Sequence, residues 1–296
     1  MIIPQKLEKG DTIGILSTAR KISKKELKTA IDLFSSWGLE VKLGKYLFEE
    51  QNQFAGTSKQ RIKDFQRMLE DKDIKAIICA RGGYGTVKII DKIEFKTILK
   101  HPKWIVGYSD VTVLHSHLNT LKVASLHATM PINFPKNTKR AITTLKKALF
   151  GESYVIENKS CKQNKKGEAE AEVVGGNLSI LYSLQGSISD IDTENKILFI
   201  EDLDEYLYHI DRMITSLKRA KKLDGLAGLI VGSMNGMHDN NISYGKTANE
   251  IIYNAVKEFN YPVCFNFPSG HINNNNSLIM GLKANLKVGE KIFLSF

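Results

Sequence analysis

The sequence predicts an α/β protein: a doubly wound parallel sheet followed by a smaller, mixed α/β unit. Three observations carry that prediction. Buried-strand and amphipathic-helix patterns alternate through the first half, the arrangement that forces parallel strands. A polar, aperiodic stretch interrupts them near residue 151. The chain has 296 residues, about twice the ~150 typical of one domain.

Element by element, Thr12–Ser17 is an apolar strand. Ser23 and Glu26 form a capping box for a helix with Leu27, Ile31 and Phe34 on one face, ended by Gly38. Val41 and Leu43 mark a short strand, and a helix from about Ser58 carries Ile62, Phe65 and Leu69. Ala76–Cys79 and Trp104–Gly107 are buried strands, the second running into a helix that ends at Leu121. Ala124–His127 adds a strand and Lys136–Leu149 a helix. Gly151–Gly167 is lysine-rich and without period, so it reads as a linker. Beyond it come Glu172–Asn177, a helix from Leu178, strand Ile197–Ile200, helix Tyr208–Ala220, strand Gly228–Gly232 and helix Lys246–Phe259. Short strands near Val263 and Ile292 close the chain. The expected division is 1–150, a linker at 151–170, and 171–296.

Composition narrows the function classes. With 42% hydrophobic and 25% charged residues the chain is globular, and no stretch approaches the ~18 apolar residues of a membrane span. The N-terminus lacks a signal-peptide apolar core. Cys79, Cys161 and Cys264 are too few and too scattered for a disulfide framework, so a reducing cytoplasm is expected. The net charge of +10 is uneven. Residues 1–150 hold 27 basic and 14 acidic side chains, a net +13; residues 151–296 hold 15 and 18, a net −3. The lysines are scattered along helices as solvated faces, with no zinc-finger, RNP or basic-helix pattern, so nucleic acid is not an expected partner. No metal-ligand spacing and no dinucleotide or P-loop fingerprint is present, so no cofactor or metal is expected.

The chemistry-bearing residues stand at strand ends and in loops. Ser109, in Gly107-Tyr108-Ser109-Asp110, sits between an apolar strand and a helix, where a sharp turn presents a hydroxyl above the sheet. The same residues also suit an ordinary helix N-cap, and Val111 stands where the last glycine of the Gly-x-Ser-x-Gly elbow would be. Among seven histidines, His115 and His117 lie on the following helix and point away from the turn, whereas His101 and His209 read as structural. His238 shows no partner, and His127 ends a strand near the site. His271 follows Phe267-Pro268-Ser269-Gly270, in a loop that turns would hold rigid, a setting that suits a catalytic base and equally an ordinary surface histidine. Glu201 emerges directly after Ile197–Ile200, with Asp202, Asp204 and Glu205 as competing acids. In extended backbone Asp202 would point away from Glu201. Gly82-Gly83-Tyr84-Gly85 serves either as a turn or as a source of backbone N–H groups for an oxyanion. Cys79, inside a strand, is expected to be inert.

Taken together these pieces resemble the LD-carboxypeptidases, serine peptidases that trim bacterial cell-wall peptides, and their relatives the microcin C immunity proteins. The resemblance runs nearly end to end. It rests on Leu7–Gly14, Phe54–Thr57, Arg81–Gly85, Gly107–Asp110, Gly175–Leu178, Phe199–Asp202 and Gly270-His271, in order. It implies Ser109 as nucleophile, His271 as base, Glu201 as its orienting acid, and the backbone N–H groups of Gly83 and Asp110 as the oxyanion hole. It further implies a Rossmann-like N-domain, a smaller C-domain, a site between them, a cytosolic homodimer, and a muropeptide ending in D-alanine as substrate. In the immunity branch a tryptophan stacks on a nucleobase. Ser183–Asn195 contains none, which favours the cell-wall branch over an immunity-type hydrolase of acyl-adenylate antibiotics.

Overall fold

A computed structural model describes residues 1–296. The first half runs β1 (Thr12–Leu16), α1 (Lys24–Ser36), β2 (Glu40–Leu43), α2 (Ser58–Glu70), β3 (Ile74–Cys79), α3 (Lys96–Lys100), β4 (Trp104–Gly107), α4 (Thr112–Thr120), β5 (Ser125–His127) and α5 (Lys139–Phe150). The capping box closes as the sequence requires: Ser23 Oγ accepts the Glu26 N–H at 3.2 Å, and Glu26 Oε2 accepts the Ser23 N–H at 2.8 Å. Thr57 and Gln60 repeat the device at the start of α2. Strands β2, β1, β3, β4 and β5 pair in parallel, in that spatial order. Strand β3 shows why such strands are apolar throughout: Ala76 and Ile78 enter one hydrophobic cluster, Ile77 and Cys79 the one on the opposite face.

The second half runs β6 (Val155–Lys159), β7 (Gly167–Asn177), α6 (Leu178–Ser183), β8 (Ile197–Leu203), α7 (Leu207–Arg219), β9 (Gly228–Asn235), α8 (Ala248–Val256), β10 (Val263–Cys264), β11 (Leu278–Met280), β12 (Lys283–Val288) and β13 (Lys291–Ser295). Its seven-stranded sheet has the order β10-β9-β8-β7-β12-β13-β6. The β7–β10 half is parallel and the β12, β13, β6 half antiparallel.

Two expectations need correction. Residues 151–170 are not simply a linker: β6 lies there, paired antiparallel with β13, and β7 begins at Gly167. The strand is at a sheet edge with only Ile156 fully buried, so its sequence is too polar to announce itself. Strand β11 departs from the expected division as well. It belongs to the C-terminal segment but pairs antiparallel with β5, closing the edge of the first sheet. One hydrophobic cluster consequently includes Val106 and Leu126 of the first sheet together with Phe199 and Ile230 of the second. That shared core fixes the two sheets against each other, with the C-terminal ends of β4 and β8 contributing to one site.

Candidate active site

Ser109 lies two residues past the end of β4, after Tyr108, and has φ +64°, a left-handed conformation that a non-glycine residue rarely adopts. Such strain costs of order 1–3 kcal/mol and persists only where surroundings hold it. Here Val111 packs where a Gly107 side chain would stand: a Cβ on Gly107 would come within 2.8 Å of it. The incomplete elbow is therefore still an elbow. The close approach is made by Gly107 and Val111 instead of by a second glycine.

His271 bridges the hydroxyl to an acid. Its Nε2 lies 3.0 Å from Ser109 Oγ and its Nδ1 2.6 Å from Glu201 Oε2. An ionised carboxylate only accepts, so Nδ1 carries the proton and Nε2 is free to accept from the serine. Glu201 is fully buried and His271 nearly so. Burial by itself would lower the imidazole pKa, but the Glu201 charge and hydrogen bond outweigh it, with Asp202 adding to them, and the net shift is upward.

The loop that carries His271 is braced from inside. Gly270 N–H donates to Asn275 Oδ1 at 2.8 Å, Ser269 Oγ to the Asn276 carbonyl at 2.8 Å, and Asn276 Nδ2 to the Pro268 carbonyl at 2.7 Å. The asparagine run is thus partly a set of loop ties, with Asn275 and Asn276 buried. Gly270 has φ +113°, and a Cβ there would fall 2.7 Å from Glu201 Oε2. Only glycine allows the imidazole to reach the acid by this route.

Of the four competing carboxylates, only Glu201 meets His271. Asp202 turns to the start of α6, accepting the Ser179 N–H at 2.9 Å and Asn177 Nδ2 at 2.8 Å. Burial and the neighbouring Glu201 charge push its carboxyl up to about 7. Asp204 pairs with His238, and Glu205 with His209, each at 2.6 Å. His238 therefore does have a partner. His115 is buried between the Gly107 carbonyl (2.9 Å) and Ser125 Oγ (2.8 Å), holding the end of β4, and burial lowers its pKa to about 4. His127 is fully buried between Tyr108 and Phe199 with neither ring nitrogen paired. Cys79 is buried, which pushes its thiol up to about 12 and leaves it inert.

The glycine-rich loop after β3 lies against the elbow, since a Cβ on Gly82 would be 3.4 Å from Ser109 Oγ. The backbone N–H groups of Gly83 and Asp110 donate to no acceptor in the chain. Sequence reasoning missed the strap between these two segments. Asp110 Oδ2 accepts both the Thr86 N–H (2.8 Å) and the Thr86 hydroxyl (2.6 Å). Burial raises the Asp110 pKa, and the Thr86 bonds oppose that rise. The second sheet is joined to the elbow's helix in a similar way: the Asn177 N–H donates to Thr112 Oγ1 at 2.9 Å.

Ser109 and His271 open onto a cleft of about 490 Å³, lined among others by Arg20, Arg81, Tyr84, Asn133, Asp204 and Glu205. A serine and a histidine at the cleft, backed by a buried glutamate and beside two unpaired N–H groups, have the parts needed for attack on an acyl carbon. No helix is long and apolar enough to cross a membrane.

Comparison with known proteins identifies the family to which the chain belongs. Residues 13–128 match the LD-carboxypeptidase N-terminal domain and residues 170–286 the LD-carboxypeptidase C-terminal domain. A probable murein peptide carboxypeptidase of Bacillus subtilis (strain 168) is 36% identical over 294 residues, covering 97% of this chain and 92% of that protein. The microcin C7 self-immunity protein MccF of Escherichia coli is 25% identical, over 75% of each chain. The fold is also that of the muramoyltetrapeptide carboxypeptidase from Oxalobacter formigenes. Its TM-score is 0.88 at 24% identity, with 96% of this chain and 98% of that one covered. Matched in both halves, and along almost its whole length by the Bacillus protein, the chain belongs to the LD-carboxypeptidase family.

Proposed function

We propose that this protein is a serine carboxypeptidase that hydrolyses the bond between the L-centre of a diamino acid and a terminal D-alanine in muropeptides, serving peptidoglycan recycling. The observation that carries the reading is the unbroken contact Ser109–His271–Glu201 at 3.0 and 2.6 Å, opening on the cleft. As Ser109 Oγ attacks the scissile carbonyl, His271 Nε2 takes its proton, and Glu201 stabilises the imidazolium. The N–H groups of Gly83 and Asp110 receive the oxyanion. His271 then protonates the departing amine, D-alanine leaves, and water, activated by the same histidine, releases the acyl group from Ser109. None of these steps calls for a metal, so exhaustive dialysis against EDTA should leave the rate unchanged. Activity restored only by Zn²⁺ would overturn the mechanism.

The substrate assignment draws on the murein peptide carboxypeptidase likeness and on the absence of a tryptophan in Ser183–Asn195. Incubating the protein with a tetrapeptide ending in D-alanine, with mass spectrometry of the products, tests it directly. Loss of one alanine, abolished by Ser109→Ala, is the expected result. Turnover of an acyl-adenylate with the tetrapeptide left intact would instead move the protein to the immunity branch.

A further inference from the structure

We propose that Arg20 recognises the free terminal carboxylate of the substrate and thereby makes this site an exopeptidase; the proposal rests on the carboxypeptidase reading above. Two guanidinium groups line the cleft, and they differ in how far they are already engaged. Arg81 Nη1 donates to the Lys21 carbonyl at 3.3 Å and lies 3.9 Å from Glu26 Oε1. Nearby Lys21 is paired with Glu50, and Lys88 lies over the rings of Phe54 and Tyr84. Arg20 makes no ion pair and its side chain no hydrogen bond, so its five donors are free.

Its position suits a carboxylate at the end of a one-residue leaving group. The Arg20 side chain lies across Gly83: a Cβ on that glycine would be 2.6 Å from Arg20 Cγ and Cδ and 2.9 Å from Nε. Glycine at position 83 therefore makes room for the arginine as well as providing φ +113°. The Arg20 N–H also donates to the Gly82 carbonyl at 3.3 Å, tying it to the same loop. The charge thus sits beside the N–H proposed to hold the oxyanion. A residue spans at most about 3.6 Å, so when a single residue departs its carboxylate lies within that length of the scissile carbonyl. A guanidinium is the side chain best shaped to hold a carboxylate through two parallel bonds. An internal peptide bond or a terminal amide would leave that cation without its counter-charge.

The test separates this role from a structural one. In the Ser109→Ala protein, which should bind without cleaving, affinity is measured for a D-alanine-terminated tetrapeptide and for its C-terminal carboxamide. The acid should bind about 10- to 100-fold tighter, as a charge-assisted hydrogen bond implies. Adding Arg20→Gln should bring the ratio to within about threefold of one, Arg20→Lys should keep part of it, and Arg81→Gln should leave it intact. A merely structural arginine would weaken both ligands alike and preserve the ratio. Should Arg20→Gln fail to fold, a several-fold drop in the ratio for Arg20→Lys decides the matter the same way. No acid preference in the parent, an unchanged ratio in Arg20→Gln or, where only it folds, in Arg20→Lys, or a ratio lost in Arg81→Gln overturns the proposal. If the native protein leaves the tetrapeptide uncleaved while the Arg20-dependent preference holds, the peptidase reading fails and the carboxylate site stands. Cleavage with an Arg20-independent ratio has the opposite meaning.

Discussion

Three imidazole–carboxylate pairs gather at the end of β8, each closed at 2.6 Å: Glu201–His271, Asp204–His238 and Glu205–His209. Distance does not distinguish them. The Asp204 side chain is 76% exposed and its His238 partner 49%, whereas Glu201 is 0% exposed and His271 12%. Water screens an exposed pair and costs it most of its strength; burial leaves the Glu201 charge acting on one imidazole. His271 alone also has a third atom in reach, the Ser109 hydroxyl. A working relay therefore requires a dry pair and something to activate, and only one of the three has both.

The sharpest way to break that comparison is substitution in all three pairs. Ser109→Ala and His271→Ala should each lower kcat on the order of 10⁶-fold, and Glu201→Gln by about 10⁴-fold, since the base survives but loses its orientation. Asp204→Asn and Glu205→Gln should keep kcat within about threefold. If either of these stops turnover while Glu201→Gln is spared, the acid has been assigned to the wrong pair. A smaller effect is expected from the strap between elbow and glycine loop. Asp110→Asn retains one acceptor for Thr86 but not the charge, and the loosened N–H pair should cost about 10- to 100-fold in kcat with KM nearly unchanged. A change confined to KM would show that the strap serves binding instead.

The pH profile sharpens the comparison through burial. Because the His271 pKa is raised, the neutral base should be lost as pH falls through a value above the ordinary 6.5. Activity should drop on that acid limb, and Glu201→Gln should move the limb to lower pH. Stability runs the other way. A group whose folded pKa exceeds its unfolded one contributes fully below the unfolded value and loses the contribution as pH rises through the folded one. Denaturant titrations across that window should therefore show this increment fading as activity appears. An acid limb unmoved by Glu201→Gln would detach the two residues. The smallest expected effect concerns backbone strain. Ser109→Gly should be more stable than Ser109→Ala by about 0.5–1 kcal/mol, because glycine accepts φ +64° without penalty. Equal stabilities in urea unfolding would mean that the elbow is not strained.

Much of this was legible in the chain, for local reasons. The strand–turn–helix around Ser109, the capping boxes and the apolar runs of β1, β3 and β4 depend on neighbours a few residues apart, and their patterns survive in one dimension. Strand β12 was equally readable, since Lys283–Val288 alternates exposed and buried side chains, although it was not among the strands expected. Edge strand β6 was not readable, because a strand with one solvated face and a single buried side chain has almost no apolar signal.

What the sequence by itself determined is the set of parts: a parallel α/β half, a hydroxyl on a strand-ending turn, acids at the end of β8, a histidine in a stiff loop, and the family motifs that order them. The tertiary structure alone decided which acid meets which histidine, because Glu201, Asp202, Asp204 and Glu205 are near neighbours in the chain and equivalent in charge. Their partners arrive from residues 177, 209, 238 and 271, and burial differs among them only once β7, β8 and the His271 loop are packed together. The same holds for the free guanidinium of Arg20 and the engaged one of Arg81. Whether a charge is spent depends on what folds against it, and that is a property of the assembled surface.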